Sequence, residues 1–119
     1  DEAFASIAAI NQKVYIIINN DIYRYINDKL EYQFSVNSPE FGYELYGRHS
    51  LDIFVRMQDG IAHYNGTDVQ YLYRFPAQSQ ARISGMSVMP EDVFVSVWDP
   101  GLEHPNMILH GKLKEVFLP

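Results

Sequence analysis

The stretch VYIIINNDIYRYINDKL, residues 14–30, decides the fold that the sequence predicts. It joins two runs of β-branched and aromatic residues through an Asn-Asn-Asp turn, which is the pattern of a β-hairpin. The stretch IFVRMQDGIAHYNGTDV, residues 53–69, repeats this pattern at a constant offset without a gap. Apolar residues fall on apolar positions, as Val14 on Ile53, and turn formers fall on turn formers, as Asn20 on Asp59. The match predicts that the hairpin belongs to an internal repeat.

A third copy of the pattern begins at DVFVSVWD, residues 92–99, where Val93 falls on Ile53 of the second copy. An insertion, DPGLEHPN, separates this strand from MILHGKLKEVF, in which we predict a turn at HGK and align Gly111 with Gly66. The same alignment places Leu113 near the position of Val69. Each copy then divides into four short strands. The sequence therefore predicts a single domain of about three four-stranded antiparallel repeats, at approximately residues 5–37, 44–76 and 83–118.

A period of about 40 residues with four strands in each unit is typical of β-propeller blades. The apolar run VYIII, residues 14–18, fits a strand that neighbouring sheets cover on both faces. The rival interpretation is a β-sandwich built from unrelated hairpins. Because propellers usually close with roughly four to eight blades, we expect another copy of the chain, or further sequence of a longer protein, to complete the ring.

Composition excludes several other classes of protein. The chain has 119 residues, of which 47% are hydrophobic and 14% aromatic, and these values favour one strand-rich globular domain. A net charge of −6 with scattered Lys and Arg residues disfavours nucleic-acid binding, which needs a basic patch. The absence of cysteine excludes disulfides and thiolate catalysis. No apolar run is long enough to predict a membrane span, and no motif indicates a cofactor.

The repeats resemble known propeller families. The segments KVYIIINNDIYRYINDKLE and DIFVRMQDGIAHYNGTDVQYLYRF resemble the blades of two-component-regulator-type propeller repeats, in which a tight turn ending in Gly separates two strands. A shifted alignment, beginning at DEAF, DIFV and DVFV, resembles hemopexin-like repeats, although its spacing is uneven and the linking disulfide of many such domains is lacking. Both resemblances imply a propeller. A third likeness covers only the end of the chain, where MPEDVFVSVWDPGLEHPNMILHGKLK resembles the sterol-carrier fold and implies lipid binding.

Two histidines are candidates for a ligand site that recurs between blades. None of the four histidines has a neighbour at metal-ligating spacing, so no metal site is predicted. His63 and His110 occupy corresponding hairpin positions in the second and third repeats. The simpler interpretation is a histidine on a solvent-facing outer strand. No nucleophile motif and no local pair of carboxylates is present, so no catalytic residue is predicted.

Aromatic side chains are the other candidates for ligand binding. Trp98, Tyr71 and Tyr73, together with Tyr32, would suit a platform on which a sugar ring stacks, although packing between blades is the simpler interpretation. The compartment is left open, with an extracellular or periplasmic location favoured. Asn-Gly-Thr at residues 65–67 would be a glycosylation sequon in a secreted chain, and it is also a good turn sequence.

These observations favour a non-catalytic binding or scaffold module of propeller type that mediates protein–protein interaction. Its partner would be another protein or further copies of the same chain. The alternative is recognition of a carbohydrate or another small ligand at repeated sites between blades, in the manner of a lectin or a hemopexin-like domain. A lipid-binding domain of sterol-carrier type is the second alternative, and an enzyme built on a propeller ranks behind the two binding functions. Fold alone does not decide among them.

Overall fold

The computed structural model describes residues 5–112, and within this range the chain is all-β and contains no helix. Strands account for 66% of these residues and form three antiparallel sheets of three or four strands. The predicted all-β class and the repeated antiparallel sheets are therefore confirmed. None of the described residues forms a helix that is long and apolar enough to cross a membrane.

The three sheets follow one another along the chain, and β1–β8 are hydrogen-bonded in chain order within their sheets. Sheet 1 contains β1 (Ala5–Ile10), β2 (Lys13–Ile18), β3 (Asp21–Ile26) and β4 (Lys29–Ser35). Sheet 2 contains β5 (Gly42–His49), β6 (Asp52–Met57), β7 (Gly60–Tyr64) and β8 (Val69–Arg74). Sheet 3 contains β9 (Arg82–Val88), β10 (Asp92–Trp98) and β11 (Asn106–Lys112), with β10 in the centre.

Asparagine-rich two-residue turns connect the strands of sheet 1. Asn11 and Gln12 have φ values of 50° and 65°, and Asn27 and Asp28 have values of 50° and 64°. Two successive residues in the left-handed region are what a type I′ hairpin turn requires, and Asn and Asp tolerate that region better than most residues. These turns set the register that places alternate side chains on opposite faces of the sheet.

Sheets 1 and 2 pack face to face and share one hydrophobic core. Ile17 of β2 and Val55 of β6 are fully buried there, and the rings of Phe34 and Tyr64 are stacked with their centres 4.0 Å apart. β5 approaches sheet 1 closely at Gly42, where a Cβ atom would lie 2.7 Å from Cδ1 of Ile17. A larger residue at this position would require the Ile17 side chain to move, with Val55 and Met57 also within 3.3 Å of the same Cβ position.

The same backbone hydrogen bond closes both repeats. The Val36 N–H donates to the carbonyl of Asn20 at 2.9 Å, and the Phe75 N–H donates to the carbonyl of Asp59 at 2.8 Å. The two donors fall on each other in the ungapped alignment of the repeats, and so do the two acceptors. The Asn20 side chain also holds the link to sheet 2, because its amide donates to the Glu40 carbonyl at 2.7 Å. The first two repeats therefore match in backbone geometry as well as in sequence.

We call the face of sheet 1 that packs on sheet 2 its front face, and the opposite face its back face. The second strand of each sheet defines the equivalent faces in sheets 2 and 3. The front faces carry Tyr15 and Ile17 in sheet 1, Phe54 and Arg56 in sheet 2, and Phe94 and Ser96 in sheet 3. The back faces carry Val14, Ile16 and Ile18 in sheet 1, Ile53, Val55 and Met57 in sheet 2, and Val93, Val95 and Val97 in sheet 3. All nine back-face residues are apolar.

The chain divides into two compact units, Asp1–Ser79 with sheets 1 and 2, and Gln80–Pro119 with sheet 3. Within the second unit the back face of sheet 3 contains the buried residues Val95, Val97 and Ile83. The assignment of all three repeats to a single domain stays a prediction.

The predicted turn at HGK is wrong. Gly111 and Lys112 continue β11, and Gly111 lies opposite Val93, whereas Gly66 lies in the loop between β7 and β8. The inserted segment forms the turn between β10 and β11, where the Gly101 N–H donates to Oδ1 of Asp99 at 2.9 Å. After this turn β11 continues through Gly111 without a second one. The predicted fourth strand of the third repeat, and the alignment of Leu113 with Val69, lie outside the described residues.

Candidate functional site

A charged cluster lies on the front face of sheet 2. Asp52, the buried first residue of β6, accepts a hydrogen bond from Nε2 of His63 at 2.6 Å and one from Nη1 of Arg48 at 2.7 Å. The ring of Phe54 packs against His63 with 4.6 Å between the ring centres, and Arg48 lies over the same phenyl ring at 5.6 Å. The carboxylate therefore has a basic partner on each oxygen, and both partners contact one aromatic ring.

Charge pairing outweighs burial in setting the protonation of Asp52. Burial of the carboxyl group by itself raises the pKa of Asp52. The hydrogen bonds from Arg48 and His63, and the charges of these two groups, lower the pKa by a larger amount. The net effect is a pKa of Asp52 below its ordinary value. The carboxylate is therefore ionised at neutral pH, and it fixes the orientation of the imidazole through its Nε2–H group.

The same arrangement occurs in sheet 3. Nε2 of His110 lies 2.7 Å from Oδ1 of Asp92, and the imidazole is stacked on Phe94 with 4.3 Å between ring centres and 8° between ring planes. His110 lies opposite Phe94 in the strand register, as His63 lies opposite Phe54. The structure thus places the two predicted histidines at equivalent positions. Their role in binding a ligand stays a prediction.

Sheet 1 has different residues at these positions. In the ungapped alignment of the first two repeats, Tyr15 stands at the position of Phe54, Arg24 at that of His63, and Lys13 at that of Asp52. Tyr15 and Arg24 lie opposite each other in the register, as the other two pairs do. The hydroxyl of Tyr15 and Nε of Arg24 are buried, and neither has a hydrogen-bond partner among the described residues. All three sheets therefore have an aromatic ring beside a basic side chain, but only sheets 2 and 3 supply a carboxylate.

Tyr71 belongs to a separate polar network between sheets 1 and 2. Its hydroxyl donates to Oδ1 of Asp59 at 2.8 Å and is hydrogen-bonded to Oγ of Ser38 at 3.0 Å. Arg74 donates to the other carboxylate oxygen of Asp59 at 2.9 Å and lies over the Tyr71 ring at 4.3 Å. Burial raises the pKa of Tyr71 most, the Ser38 bond lowers it, and the bond to Asp59 raises it again, to about 12. The phenol is held in its neutral form.

The remaining aromatic candidates lie on different faces of their sheets. A β-bulge in β8 places Tyr71 opposite Ala62 and Tyr73 opposite Ile61, which are adjacent residues on β7. Tyr73 packs edge-on against Phe75, with 5.4 Å between ring centres. Tyr32 lies on the back face of sheet 1, on the other side of that sheet from Tyr71, so these tyrosines do not form one platform.

Trp98 ends β10 in the second unit, where it is 45% exposed on the front face of sheet 3. It lies opposite Arg82 on β9 and Asn106 on β11. Its binding role, like those of Tyr71 and Tyr73, stays a prediction.

An Asp–His pair is a component of several catalytic and metal-binding sites, because the carboxylate orients the imidazole. Residues 5–112 bring together no group of three or more His, Asp or Glu side chains that could hold a metal ion. The groups recorded around Asp52 are basic or aromatic, and no hydroxyl nucleophile is among them. The cluster therefore holds the imidazole of His63 and the guanidinium of Arg48 in fixed positions, each against the ring of Phe54.

Comparison with known proteins adds no relative to this description. No family model matches the chain, and no curated protein or solved structure is significantly similar to it.

Sequence reasoning missed the two carboxylates that bind the histidines. Their signal was present in the repeated tetrapeptides DIFV and DVFV, in which the Asp precedes the Phe by two residues. Residues two apart on a strand lie on the same face, so each Asp shares a face with its Phe and with the histidine opposite that Phe. No signal in the sequence could have shown that the hydroxyl of Tyr15 has no partner among residues 5–112.

Proposed function

We propose that the protein is a non-catalytic binding module of β-propeller type that associates with a second copy of itself through the back face of sheet 1. The observation that supports this proposal is the comparison of equivalent back faces. In sheet 2 the back-face residues Ile53, Val55 and Met57 are at most 1% exposed, because sheet 1 covers them. In sheet 1 the equivalent Val14, Ile16 and Ile18 are only half-buried.

The back face of sheet 1 is a wide apolar surface. One row across its four strands reads Ile7, Ile16, Tyr23 and Tyr32, and the next reads Ala9, Val14, Tyr25 and Leu30. Neither row contains a charged residue. Ile7 is 68% exposed and Tyr32 is 58% exposed. A contiguous apolar patch of this kind on a folded domain marks an interaction surface, because its exposure to water is unfavourable.

The packing of sheet 1 on sheet 2 indicates what covers this surface. In that packing, a front face with aromatic and aliphatic residues covers a back face of β-branched residues. The front face of sheet 1 is already occupied, and Phe54 and Ile61 on the front face of sheet 2 are buried. The front face of sheet 3 carries the Asp92–His110 pair at one end, and beside it this face exposes Ile108 (65%), Trp98 and Phe94. We therefore assign the front face of sheet 3 in a second copy as the occupant.

This contact is heterologous, since two different surfaces meet. Such contacts generate closed rings where the rotation between copies closes, and open assemblies where it does not. A ring formed from two copies would contain six sheets, within the range that propellers use. The proposal also gives Tyr32 and Trp98, two of the predicted aromatic residues, a place on the two sides of one interface.

Mass measurement with complementary charge variants tests the proposal. Light scattering of the wild-type chain should show a species heavier than the 13.8 kDa monomer. Ile7→Glu and Ile108→Glu should each weaken this association, because each buries a carboxylate in an apolar contact. An equimolar mixture of the two variants should restore a dimer, since one unaltered interface remains between them.

The matched control is Leu72→Glu, on an exposed position of β8 that belongs to neither surface. It should leave the mass unchanged. A wild-type chain that stays monomeric at all concentrations would refute association. Association without restoration in the mixture would refute the head-to-tail arrangement and favour contact of sheet 1 with sheet 1.

The second candidate function is recognition of a small ligand at repeated sites. The recurring aromatic and basic pairs, Tyr15–Arg24, Phe54–His63 and Phe94–His110, favour it because they occupy one position in all three sheets. Screening against a glycan array separates a carbohydrate-binding protein from a scaffold. Binding that is lost in both His63→Ala and His110→Ala, with association intact, would support the lectin-like alternative.

A further inference from the structure

The aromatic and basic pairs Tyr15–Arg24, Phe54–His63 and Phe94–His110 occupy equivalent positions, and two of them show which group the basic side chain binds. In sheets 2 and 3 the basic residue opposite the aromatic ring is bound to a carboxylate oxygen, at 2.6 Å in the Asp52–His63 pair and 2.7 Å in the Asp92–His110 pair. The carboxylate comes in both cases from the residue two positions before the aromatic residue. In sheet 1 this position is Lys13, which is basic, so the repeat itself supplies no acidic group.

Two polar atoms of sheet 1 remain without an acceptor or donor. The Tyr15 side chain is 1% exposed, and its hydroxyl has no hydrogen-bond partner among residues 5–112. The buried Nε–H of Arg24 also has none within this range. A buried polar group that makes no hydrogen bond costs about 1–3 kcal/mol, so a protein rarely keeps two such groups at neighbouring positions. Both groups are hydrogen-bond donors.

The acidic residue nearest in register does not fulfil this role. Glu31 lies opposite Arg24 on β4, but it is exposed, and no ion pair joins the two side chains. Lys13 adds a second positive charge on the same face, two residues before Tyr15. The local charge is therefore positive, and Lys13, Tyr15 and Arg24 all belong to the face of sheet 1 that packs on sheet 2.

We propose that Lys13, Tyr15 and Arg24 form a binding site for a small carboxylate anion, which takes the place that the Asp52 and Asp92 carboxylates take in the other sheets. Because the Tyr15 hydroxyl is enclosed, a ligand reaches it only when neighbouring side chains move, and this restricts the ligand to the smallest carboxylates, formate and acetate. A guanidinium is well suited to this task, because its N–H groups match the two oxygens of a carboxylate.

Stability measurements with sodium acetate, at constant ionic strength set by sodium chloride, test this site. Acetate should raise the urea midpoint in a saturable way, and at ten times its Kd it should lower the unfolding equilibrium constant about 11-fold. Arg24→Gln should abolish the response, whereas Arg82→Gln, at an exposed arginine of sheet 3, should retain it. An equal response to chloride and acetate would overturn the proposal.

The repeats also provide a gain-of-function variant. Lys13→Asp introduces the carboxylate at the position where sheets 2 and 3 have it, so this variant should be more stable than Lys13→Asn and should no longer respond to acetate. If Lys13→Asp is instead less stable than Lys13→Asn, or responds to acetate like the wild type, the site does not exist. The association of the chain is measured separately through Ile7 and Ile108, so the two proposals can fail independently.

Discussion

Alkaline pH should destabilise the protein through Tyr71, and the structure gives the size of the effect. The pKa of this phenol is raised from 10.0 to about 12 in the folded chain. In the unfolded chain the Tyr71 phenol ionises near pH 10, whereas in the folded chain it keeps its proton until about pH 12. The stabilisation from the neutral phenol is therefore fully present below pH 10 and is lost as the pH rises towards 12.

The linkage relation converts this difference into free energy. One unit of pKa corresponds to about 1.4 kcal/mol. For values of 10 and about 12, the free energy of unfolding should fall by about 1.3 kcal/mol between pH 9 and pH 11 because of this one group. The other tyrosines and the lysines add their own dependence, so the contribution of Tyr71 has to be obtained from a difference between variants.

Tyr71→Phe removes the ionisable group and keeps the ring beneath Arg74. At pH 8 the variant should be less stable than the wild type by about 1 kcal/mol, the usual net value of a hydrogen bond of this kind. By pH 11 the wild type should have lost about 1.3 kcal/mol relative to the variant, so the two chains should then be about equally stable, with the variant slightly ahead. Urea unfolding followed by circular dichroism at intervals of half a pH unit measures both values.

Tyr73→Phe, on the same strand, controls for the loss of one hydroxyl group. At pH 8 it should lose less stability than Tyr71→Phe, because it removes no hydrogen bond to Asp59. A constant gap between wild type and Tyr71→Phe from pH 8 to pH 11 would show that the phenol is not protected by burial and by Asp59, and would refute the reasoning.

Three further predictions concern acid stability, an unpaired hydroxyl and a close backbone contact. The lowered pKa of Asp52 contributes stability at pH values above its ordinary pKa near 3.8, and this stability is lost as the pH falls through the pKa of the folded chain. Between pH 5 and pH 3 the urea midpoint of Asp52→Asn should therefore fall less than that of the wild type. Tyr15→Phe should leave the midpoint in acetate-free buffer unchanged or higher, because the hydroxyl it removes has no partner among the described residues; a loss above about 1 kcal/mol would indicate a hydrogen bond through bound water. Gly60→Ala should lower the free energy of unfolding, measured by thermal melting, by about 1–3 kcal/mol, since φ is +154° and a Cβ would lie 2.1 Å from the Tyr73 carbonyl oxygen. Gly111→Ala, whose Cβ would have nothing within 4 Å, should be neutral in the same measurement.

Local patterns in the sequence were sufficient to predict most of the strands. The turns at Asn20 and Asp59 fall between strands as predicted, because side chains that favour turns and runs that favour strands alternate at the correct length. The prediction of a turn at HGK was wrong because the preference of a single residue does not decide whether a turn forms. A glycine permits a turn but does not require one, and Gly111 stays paired with Val93 in the ladder between β10 and β11.

The candidate site was harder to predict than the strands. His63 and His110 were singled out from their position in the repeat, and the register shows that they are equivalent. Their bonds to Asp52 and Asp92 depend on which residues share a face, and this requires a strand register that only the turns determine. That Arg24 lies opposite Tyr15 was not predicted, since nothing in these two residue types by themselves indicates the register.

The identical bonds from Val36 to Asn20 and from Phe75 to Asp59 make the chain leave the first two sheets in the same way. A unit whose exit is fixed by its own backbone does not depend on the residues that follow for its direction. Gene duplication could therefore add such a unit without redesigning the junction, and the number of sheets in the chain could change in steps of one. Protein engineers could use the same property by inserting an extra copy of residues 36–74 after Arg74 and measuring whether the lengthened chain folds.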